Sequence, residues 1–139
     1  MKKKEVSKRV LKNGKPLSIE KFEWDEQENK FFSLEECLVV DFMGVDDCTF
    51  YTGSNCTFYT GSNCNFDTGY GCTFKTGPNC AFTTRSGCTF DVIRLCYINN
   101  NAKRNVVIIR DFMKKTVYDL DNEPNKLLLL TIDDVVIKD

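Results

Sequence analysis

CTFYTGSNCTFYTGSNC, residues Cys48 to Cys64, contains the same eight-residue unit twice in succession. The unit then continues with substitutions, so that cysteines recur every eight residues at Cys48, Cys56, Cys64, Cys72, Cys80, Cys88 and Cys96. A short fixed period is typical of a repeat architecture, in which each unit packs mainly against its neighbours. The fold of the chain is therefore decided by this repeat, and the flanking segments are interpreted as its two ends.

Within the unit, Cys, Phe and Thr stand at the first, third and fifth positions. Alternate residues of a strand lie on one face of it, and cysteine and phenylalanine are among the residues most often buried. Gly-x-Asn or Gly-x-Gly follows, and both glycine and asparagine tolerate the positive φ of a tight turn. Each unit is predicted to form one strand and one turn around a core that includes Cys56, Phe58, Cys64, Phe66, Cys72, Phe74, Cys80 and Phe82.

Two architectures fit a strand followed by a tight turn. An antiparallel meander would place equivalent residues of successive strands at alternating ends, so that their phenylalanines would not stack. A parallel β-solenoid stacks like residues at ~4.8 Å, which favours units that are nearly identical. The predicted fold is all-β, almost free of helix: a short parallel β-solenoid, with about two units per coil and with N- and C-terminal β caps. It has two facing phenylalanine ladders, one of Phe58, Phe74 and Phe90 and one of Phe50, Phe66 and Phe82.

The repeat continues in degenerate form beyond its obvious units, and the solenoid is predicted to span residues 40–103. Val40 and Phe42 stand in the Cys and Phe positions of a first unit, with Gly44 in the Thr position. Cys96 begins a last unit that has lost the turn glycine. The boundaries of the solenoid are therefore set by the fading of this pattern.

The two ends of such an array expose strand edges that native proteins cover. Residues 1–39 are predicted to form an N-terminal β-hairpin cap, because Asn13-Gly14 is a strong hairpin-turn signal. Residues 104–139 are predicted to form a C-terminal β cap and oligomerisation segment. The apolar residues of 127–132 and 135–137 exceed what one thin solenoid end would cover, so this segment is expected to pair with a second copy in a homodimer.

The unit Cys-Thr-Phe-x-Thr-Gly-x-Asn resembles that of a set of bacterial and phage-encoded octapeptide-repeat β-solenoid proteins of largely unassigned function. The resemblance covers Phe22 to about Arg110. It implies a solenoid and a phage or mobile-element setting, and it implies no reaction. The chain departs from the pattern at Arg85 and Ile93, where the turn glycine is missing, so the last corners are expected to differ in shape.

Composition argues against several classes of function. The formal net charge is -1, from 19 basic and 20 acidic residues, so no nucleic-acid partner is expected. The chain has no histidine and no CxxC pair, so neither a zinc site nor a cysteine nucleophile activated by histidine is predicted. No catalytic, cofactor-binding or metal-binding residue is assigned, and the protein is predicted not to be an enzyme.

Residues 1–15 lack the apolar core of a signal peptide, and no stretch approaches the roughly 18 apolar residues of a membrane-spanning helix. The protein is therefore predicted to be cytoplasmic, in the host cytosol if it is phage-encoded, with no membrane partner. Thiols are normally reduced there, so the cysteines are predicted to be free and to act as small core residues. Disulfides between neighbouring coils are the alternative, because ~4.8 Å falls within the Cα separation that a disulfide permits.

Aromatic and cationic side chains of the repeat offer a surface for a protein–protein contact. The candidate binding residues are Tyr51, Tyr59, Tyr70, Lys75, Arg85 and Tyr97. Their alternative interpretation is that they are ordinary surface residues of strands. The function predicted is that of a non-catalytic, phage- or prophage-encoded solenoid that engages a host protein, for example as an inhibitor of a defence protein or an enzyme. A virion or tail component and a protein that sequesters a small molecule are the alternatives.

Overall fold

The computed structural model describes residues 1–93, 96–99, 106–111, 114–119 and 135–138. Strands predominate in this part of the chain. In chain order the elements are α1 (Lys3–Arg9), β1 (Val10–Lys12), β2 (Lys15–Pro16), the 3-10 helix η1 (Ile19–Lys21), β3 (Glu23–Asp25), β4 (Lys30–Phe32), β5 (Leu38–Phe42), β6 (Thr49–Tyr51), β7 (Thr57–Thr60), β8 (Asn65–Asp67), β9 (Thr73–Lys75), β10 (Ala81–Thr83), β11 (Thr89–Ile93), β12 (Cys96–Asn99), β13 (Val106–Asp111), β14 (Lys114–Asp119) and β15 (Val135–Lys138).

The described strands form two sheets. Sheet A has the order β14-β13-β11-β9-β7-β5-β1-β2, and sheet B has the order β15-β12-β10-β8-β6-β4-β3. Consecutive repeat strands alternate between the sheets, so each residue lies beside the one sixteen positions later, as Thr57 does beside Thr73 and Thr73 beside Thr89. The prediction of a parallel β-solenoid with two units per coil is confirmed, and the solenoid has about 4 turns.

The core between the sheets consists of stacked phenylalanine rings and cysteines. On sheet A the rings of Phe58 and Phe74 stack at 5.1 Å with an interplanar angle of 7°, and on sheet B those of Phe66 and Phe82 stack at 4.9 Å and 6°. Rings of opposite ladders meet edge to face, since Phe66 and Phe74 are 5.1 Å apart at 70°. Such pairs add ~0.5–1.5 kcal/mol each to the gain from burial. The predicted core residues are all buried: Cys56, Phe58, Cys64, Phe66, Cys72, Phe74, Cys80 and Phe82.

Each corner between strands contains two residues with distinct roles, the residue before the cysteine and the glycine after the threonine. The residue before each cysteine from Cys48 to Cys88 adopts a positive φ, of 59° to 62° at Asn55, Asn63 and Asn79. The glycine that follows the threonine does not, so its predicted role in supplying a positive φ was wrong. It is needed for space: a Cβ at Gly77 would lie 2.8 Å from Ser62 Oγ of the preceding coil. The corners of successive coils are therefore packed backbone against backbone.

The first coil begins two residues earlier in register than the sequence pattern predicts. Val40 lies beside Phe58 and Phe42 beside Thr60, so these residues occupy the Phe and Thr positions and not the Cys and Phe positions. The turn that follows is longer, with five residues between Phe42 and Cys48 against three between Thr60 and Cys64. Its extra length is absorbed by Gly44, at φ 75°, in a turn closed by a 2.9 Å hydrogen bond from the N–H of Val45 to the carbonyl of Phe42.

The N-terminal segment contains the predicted hairpins and a short helix that the sequence pattern did not indicate. The hairpins are β1–β2 and β3–β4, and β4 also pairs in parallel with β6, so the parallel stack begins at Lys30. Helix α1 buries Val6, and Ser7 Oγ donates a 2.6 Å hydrogen bond to the carbonyl of Leu17. Trp24 packs edge-on against Phe42 at 6.0 Å and covers the first coil.

The described C-terminal strands continue the two sheets of the solenoid. β13 pairs in parallel with β11, β15 pairs in parallel with β12, and β14 returns antiparallel along β13. The predicted apolar segment 127–132 lies outside the described residues, as does the corner that follows Ile93. The C-terminal β cap is therefore described by its strand pairing alone.

Candidate binding groove on sheet B

The predicted binding residues do not form one site. Tyr59 and Lys75 are neighbours on the outer face of sheet A. Tyr51 and Tyr97 lie on the outer face of sheet B, in different columns of side chains and at opposite ends of the repeat. The remaining two, Tyr70 and Arg85, lie at the corners that connect sheet B to sheet A. The structure thus divides these residues among three surfaces.

Tyr70 and Arg85 contact each other across successive coils. The guanidinium carbon of Arg85 lies 5.5 Å from the centroid of the Tyr70 ring, a cation–π contact. Arg85 stands where other units have the turn glycine, yet its N–H still donates to the carbonyl of Gly69 at 3.4 Å, as Gly69 does to Gly53 at 3.3 Å. The corner at Arg85 therefore keeps the hydrogen bond between coils and adds a cationic side chain to the surface.

The repeat has diverged on both sheets. Relative to the unit that begins at Cys48, which lies on sheet B, the units on sheet A that begin at Cys56, Cys72 and Cys88 differ at none, two and five positions. On sheet B, the units of Cys64 and Cys80 each differ at four positions. The differing residues are Asn65, Asp67, Tyr70 and Gly71 in the first and Ala81, Thr83, Arg85 and Gly87 in the second.

The core does not account for the substitutions on sheet B, because the units of Cys64 and Cys80 keep the buried Cys, Phe and Thr. Of the substituted residues on sheet B and its corner, Ala81 is half-buried and the others are exposed. These substitutions therefore lie on the outer side of sheet B and its corner.

A series of shallow clefts follows this same side. Four clefts formed by described residues have volumes of about 350, 250, 200 and 370 Å³ and share lining residues from each to the next. Leu34 joins the first to the second, Tyr51 the second to the third, and Asp67 lines the last three. We call this series the sheet B groove; its main side chains are Phe32, Leu34, Tyr51, Asp67, Tyr70 and Arg85.

The cleft of about 250 Å³, which we call the apolar cleft, presents exposed apolar side chains. The terminal cleft beside it is also lined by Glu20, Lys21, Glu23 and Glu35. Leu34 is 83% exposed and Phe32 46% exposed, and Phe32 lies beside Tyr51 on the neighbouring strand. Sequence patterns did not identify Phe32 and Leu34, since both fall in the segment interpreted as a cap. The alternation of Phe31, which is buried, with Phe32 was the available signal, and it needed the pairing of β4 with β6 to become informative.

The other end of the groove is charged. Between Cys48 and Phe90 the chain has just three charged residues, Asp67, Lys75 and Arg85. Asp67 and Arg85 line the same corner cleft, and no ion pair within 4.0 Å joins them in the described part of the chain. Opposite charges are therefore presented side by side to solvent.

The cysteines of the repeat form two buried ladders. All eight cysteines lie in the described part of the chain without a disulfide, and all but Cys37 are buried. The Sγ of Cys64 donates to the carbonyls of Ser62 at 3.5 Å and Val45 at 3.7 Å. The hydrogen bond with Cys48 lowers the pKa of Cys64, but the bond with Cys80 and burial outweigh it and raise this pKa to about 11. A thiol of this kind stays protonated at neutral pH, whereas the thiolate is the reactive form.

Comparison of the chain with protein-family models, with curated proteins and with solved structures finds no match. Within the described residues, no group of three or more Cys, Asp or Glu side chains is placed to hold a metal ion. Helix α1, with seven residues, is too short to cross a membrane, and no other described helix could do so. A functional assignment therefore rests on the geometry of the groove.

Proposed function

We propose that this protein is a non-catalytic solenoid that binds another protein through the sheet B groove. The observation that carries the proposal is the sheet B groove itself, which crosses successive coils and is lined by exposed aromatic, apolar and charged side chains. Such side chains are those that contribute most to protein contacts.

The architecture supports this proposal energetically. Stacked coils hold Tyr51, Asp67 and Thr83 in one column of adjacent strands, so little conformational entropy is lost when they engage a partner. A shallow, continuous groove is also suited to a polypeptide more than to a small molecule, which is typically enclosed on most sides. The setting that the sequence resemblance implies, a phage- or prophage-encoded protein that acts on a host protein in the cytoplasm, is part of the same proposal.

We also propose that the protein is a homodimer, paired through residues 104–139. The apolar residues of that segment and the position of β15 at the edge of sheet B support this proposal. Light scattering at micromolar concentration is expected to give twice the chain mass of 16.0 kDa, and a monomer would contradict it.

The groove is tested with two matched substitutions of exposed apolar residues by glutamate. Leu34→Glu places a charge in the groove, whereas Met43→Glu does so on the opposite corner, where Met43 is 61% exposed. Tagged wild-type and variant proteins are used to purify partners from native cells, followed by quantitative mass spectrometry. A partner that copurifies with the wild type and Met43→Glu but is lost with Leu34→Glu is the expected result. Equal recovery with all three proteins would contradict a binding role for the groove.

A further inference from the structure

We infer that the occupant of the sheet B groove is an extended peptide segment in which an apolar residue is followed by a basic residue and then by an acidic one. The inference rests on the proposed function and specifies the chemistry of the partner. Its three elements are the apolar cleft, the acidic Asp67 and the cationic Arg85, which lie in this order along the solenoid axis.

The apolar cleft is the site for an anchor, that is, for one apolar side chain of the peptide. Phe32, Leu34 and Tyr51 line one cleft of about 250 Å³, and each of them is at least 39% exposed. An apolar side chain seated among them would bury surface on both partners, at a gain of ~25 cal/mol per Å². The anchor of the peptide is therefore an aliphatic or aromatic residue.

Asp67 and Arg85 determine which charged side chains the peptide carries. Asp67 lies in the same column as Phe32 and Tyr51, and Arg85 lies across the corner cleft from it. A basic side chain of the peptide would pair with Asp67, and an acidic side chain would pair with the planar guanidinium of Arg85. The stacking of Arg85 on Tyr70, with a distance of 5.5 Å, restricts the side chain before binding.

Tyr70 and Arg85 also depend on each other sterically, which indicates that they changed together. In the preceding coil, a Cβ at Gly69 would clash with the Oγ of Ser54. This oxygen is held in place because it accepts a hydrogen bond of 3.0 Å from the N–H of Tyr70. Under Arg85 the equivalent of Ser54 is Tyr70, which has no such oxygen. A side chain at position 85 is therefore compatible with tyrosine beneath it, and the tyrosine in turn stacks on the side chain.

The spacing of the groove sets the spacing in the peptide. Successive side chains of an extended peptide point to opposite faces, so those that face the groove are two residues, or ~6.6 Å, apart. An anchor between Phe32 and Tyr51 lies one to two strand-to-strand steps of ~4.8 Å from Asp67, and Arg85 is one coil further and across the corner. The expected pattern is apolar-x-basic-x-acidic.

Other macromolecules fit this distribution of charge less well. A polyanion such as a nucleic acid or an acidic glycan would meet Asp67 in the centre of the groove, and Glu20, Glu23 and Glu35 beside a single lysine, Lys21, in the terminal cleft. A neutral glycan would leave both Asp67 and Arg85 without an opposite charge. A peptide that carries both signs satisfies both residues.

The experiment uses the immobilised full-length chain and a display library of random decapeptides. Selections on the wild type are compared with selections on Asp67→Asn and Arg85→Gln, which remove one exposed charge each. Lys75→Gln, which removes an exposed charge from sheet A, is the matched control. Circular dichroism and unfolding curves confirm that the variants are folded.

The wild type and Lys75→Gln are expected to enrich the same apolar-x-basic-x-acidic pattern. Asp67→Asn should reduce the enrichment of the basic position, and Arg85→Gln that of the acidic position, by about threefold each, as for exposed ion pairs. A pattern that is lost with Leu34→Glu but unaffected by Asp67→Asn and Arg85→Gln would overturn the charge assignment and leave the proposed function standing. No enrichment on the wild type, or binding of acidic oligosaccharides in its place, would overturn the peptide itself.

Discussion

Sheet A and sheet B have equivalent interiors and unequal exteriors. Stacked rings are separated by 5.1 Å at Phe58–Phe74 on sheet A and by 5.2 Å at Phe50–Phe66 on sheet B. The first outward position reads Thr57, Thr73 and Thr89 on sheet A, and Thr49, Asn65 and Ala81 on sheet B. The second outward position reads Tyr59, Lys75 and Asp91 on sheet A, and Tyr51, Asp67 and Thr83 on sheet B. Because the stacked rings are nearly equivalent, the two sheets differ mainly in the side chains that they present outward.

The largest expected effect tests the equivalence of the interiors. Phe74→Ala on sheet A and Phe66→Ala on sheet B should each lower the free energy of unfolding by about 3–5 kcal/mol, because each opens a cavity in a ring ladder. The exposed substitution Lys75→Ala should cost less than about 0.5 kcal/mol. Urea unfolding followed by circular dichroism measures all three. A cost at Phe66 below half of that at Phe74 would show that the ladders are not equivalent.

The next effect separates the two kinds of glycine at the corners. Gly69→Ala should cost about 1–3 kcal/mol, because its Cβ would lie 3.0 Å from the backbone nitrogen of Ser54. Gly87, at φ 77°, has no neighbouring atom closer than 3.8 Å to an added Cβ, so Gly87→Asn should cost less than about 0.5 kcal/mol. Equal costs for the two substitutions, measured by urea unfolding, would contradict the assignment of one glycine to space and the other to conformation.

The cysteine ladders predict a loss of stability at alkaline pH. Cys64 and Cys80 have folded-state pKa values of about 11, raised from 9.0. Their contribution to the free energy of unfolding is complete below pH 9, where the thiols are protonated in both the folded and the unfolded chain. It is lost as the pH rises to 11, because only the unfolded chain releases the proton, at about 1.4 kcal/mol per pH unit for each thiol.

Urea unfolding between pH 8 and pH 11 measures this dependence. Cys80→Ala should be less stable at pH 8 but should lose stability less steeply above pH 9, by at least the share of one thiol, because Cys80 also raises the pKa of Cys64. The tyrosines and lysines are unchanged in this variant, so they do not contribute to the difference. Identical slopes for the two proteins would mean that Cys80 titrates alike in the folded and unfolded chains.

The interior of the solenoid could be predicted from the sequence because one period sets all of it. Each Phe repeats a strand position and each Asn a turn position, so a few residues determine the whole array. The helix α1 could not be predicted in this way, since it buries one residue, Val6, and so shows no helical period. The longer turn at Gly44 was also missed, because the eight-residue spacing from Val40 to Cys48 imitates an intact unit.

The candidate site was only partly predictable. Six surface residues were identified from their chemistry, but their distribution over three surfaces follows from strand pairing that a list of residues does not contain. The contact of Tyr70 with Arg85 could have been predicted from the sequence, because a coil of sixteen residues places Arg85 next to Gly69. Leu34 could not have been predicted as a site residue, since its exposure depends on the path of the chain between β4 and β5.

The smallest expected change in stability is also the sharpest test of the comparison between the sheets. Restoring the repeat sequence on sheet B and its corner, with Asp67→Tyr, Tyr70→Ser, Gly71→Asn and Arg85→Gly together, should leave the free energy of unfolding within about 1 kcal/mol, because the core is untouched. Partner binding, measured by purification from native cells with the tagged protein, should be lost.

Tyr70→Ser alone should be less stable than Tyr70→Ser combined with Arg85→Gly, because serine at position 70 would return the oxygen that excludes a side chain at position 85. Urea unfolding of the single and double variants measures this coupling. If the fully restored protein still bound its partner, the divergence of sheet B would have no role in binding. If it failed to fold, the substitutions would be structural, and the interiors of the two sheets would not be interchangeable.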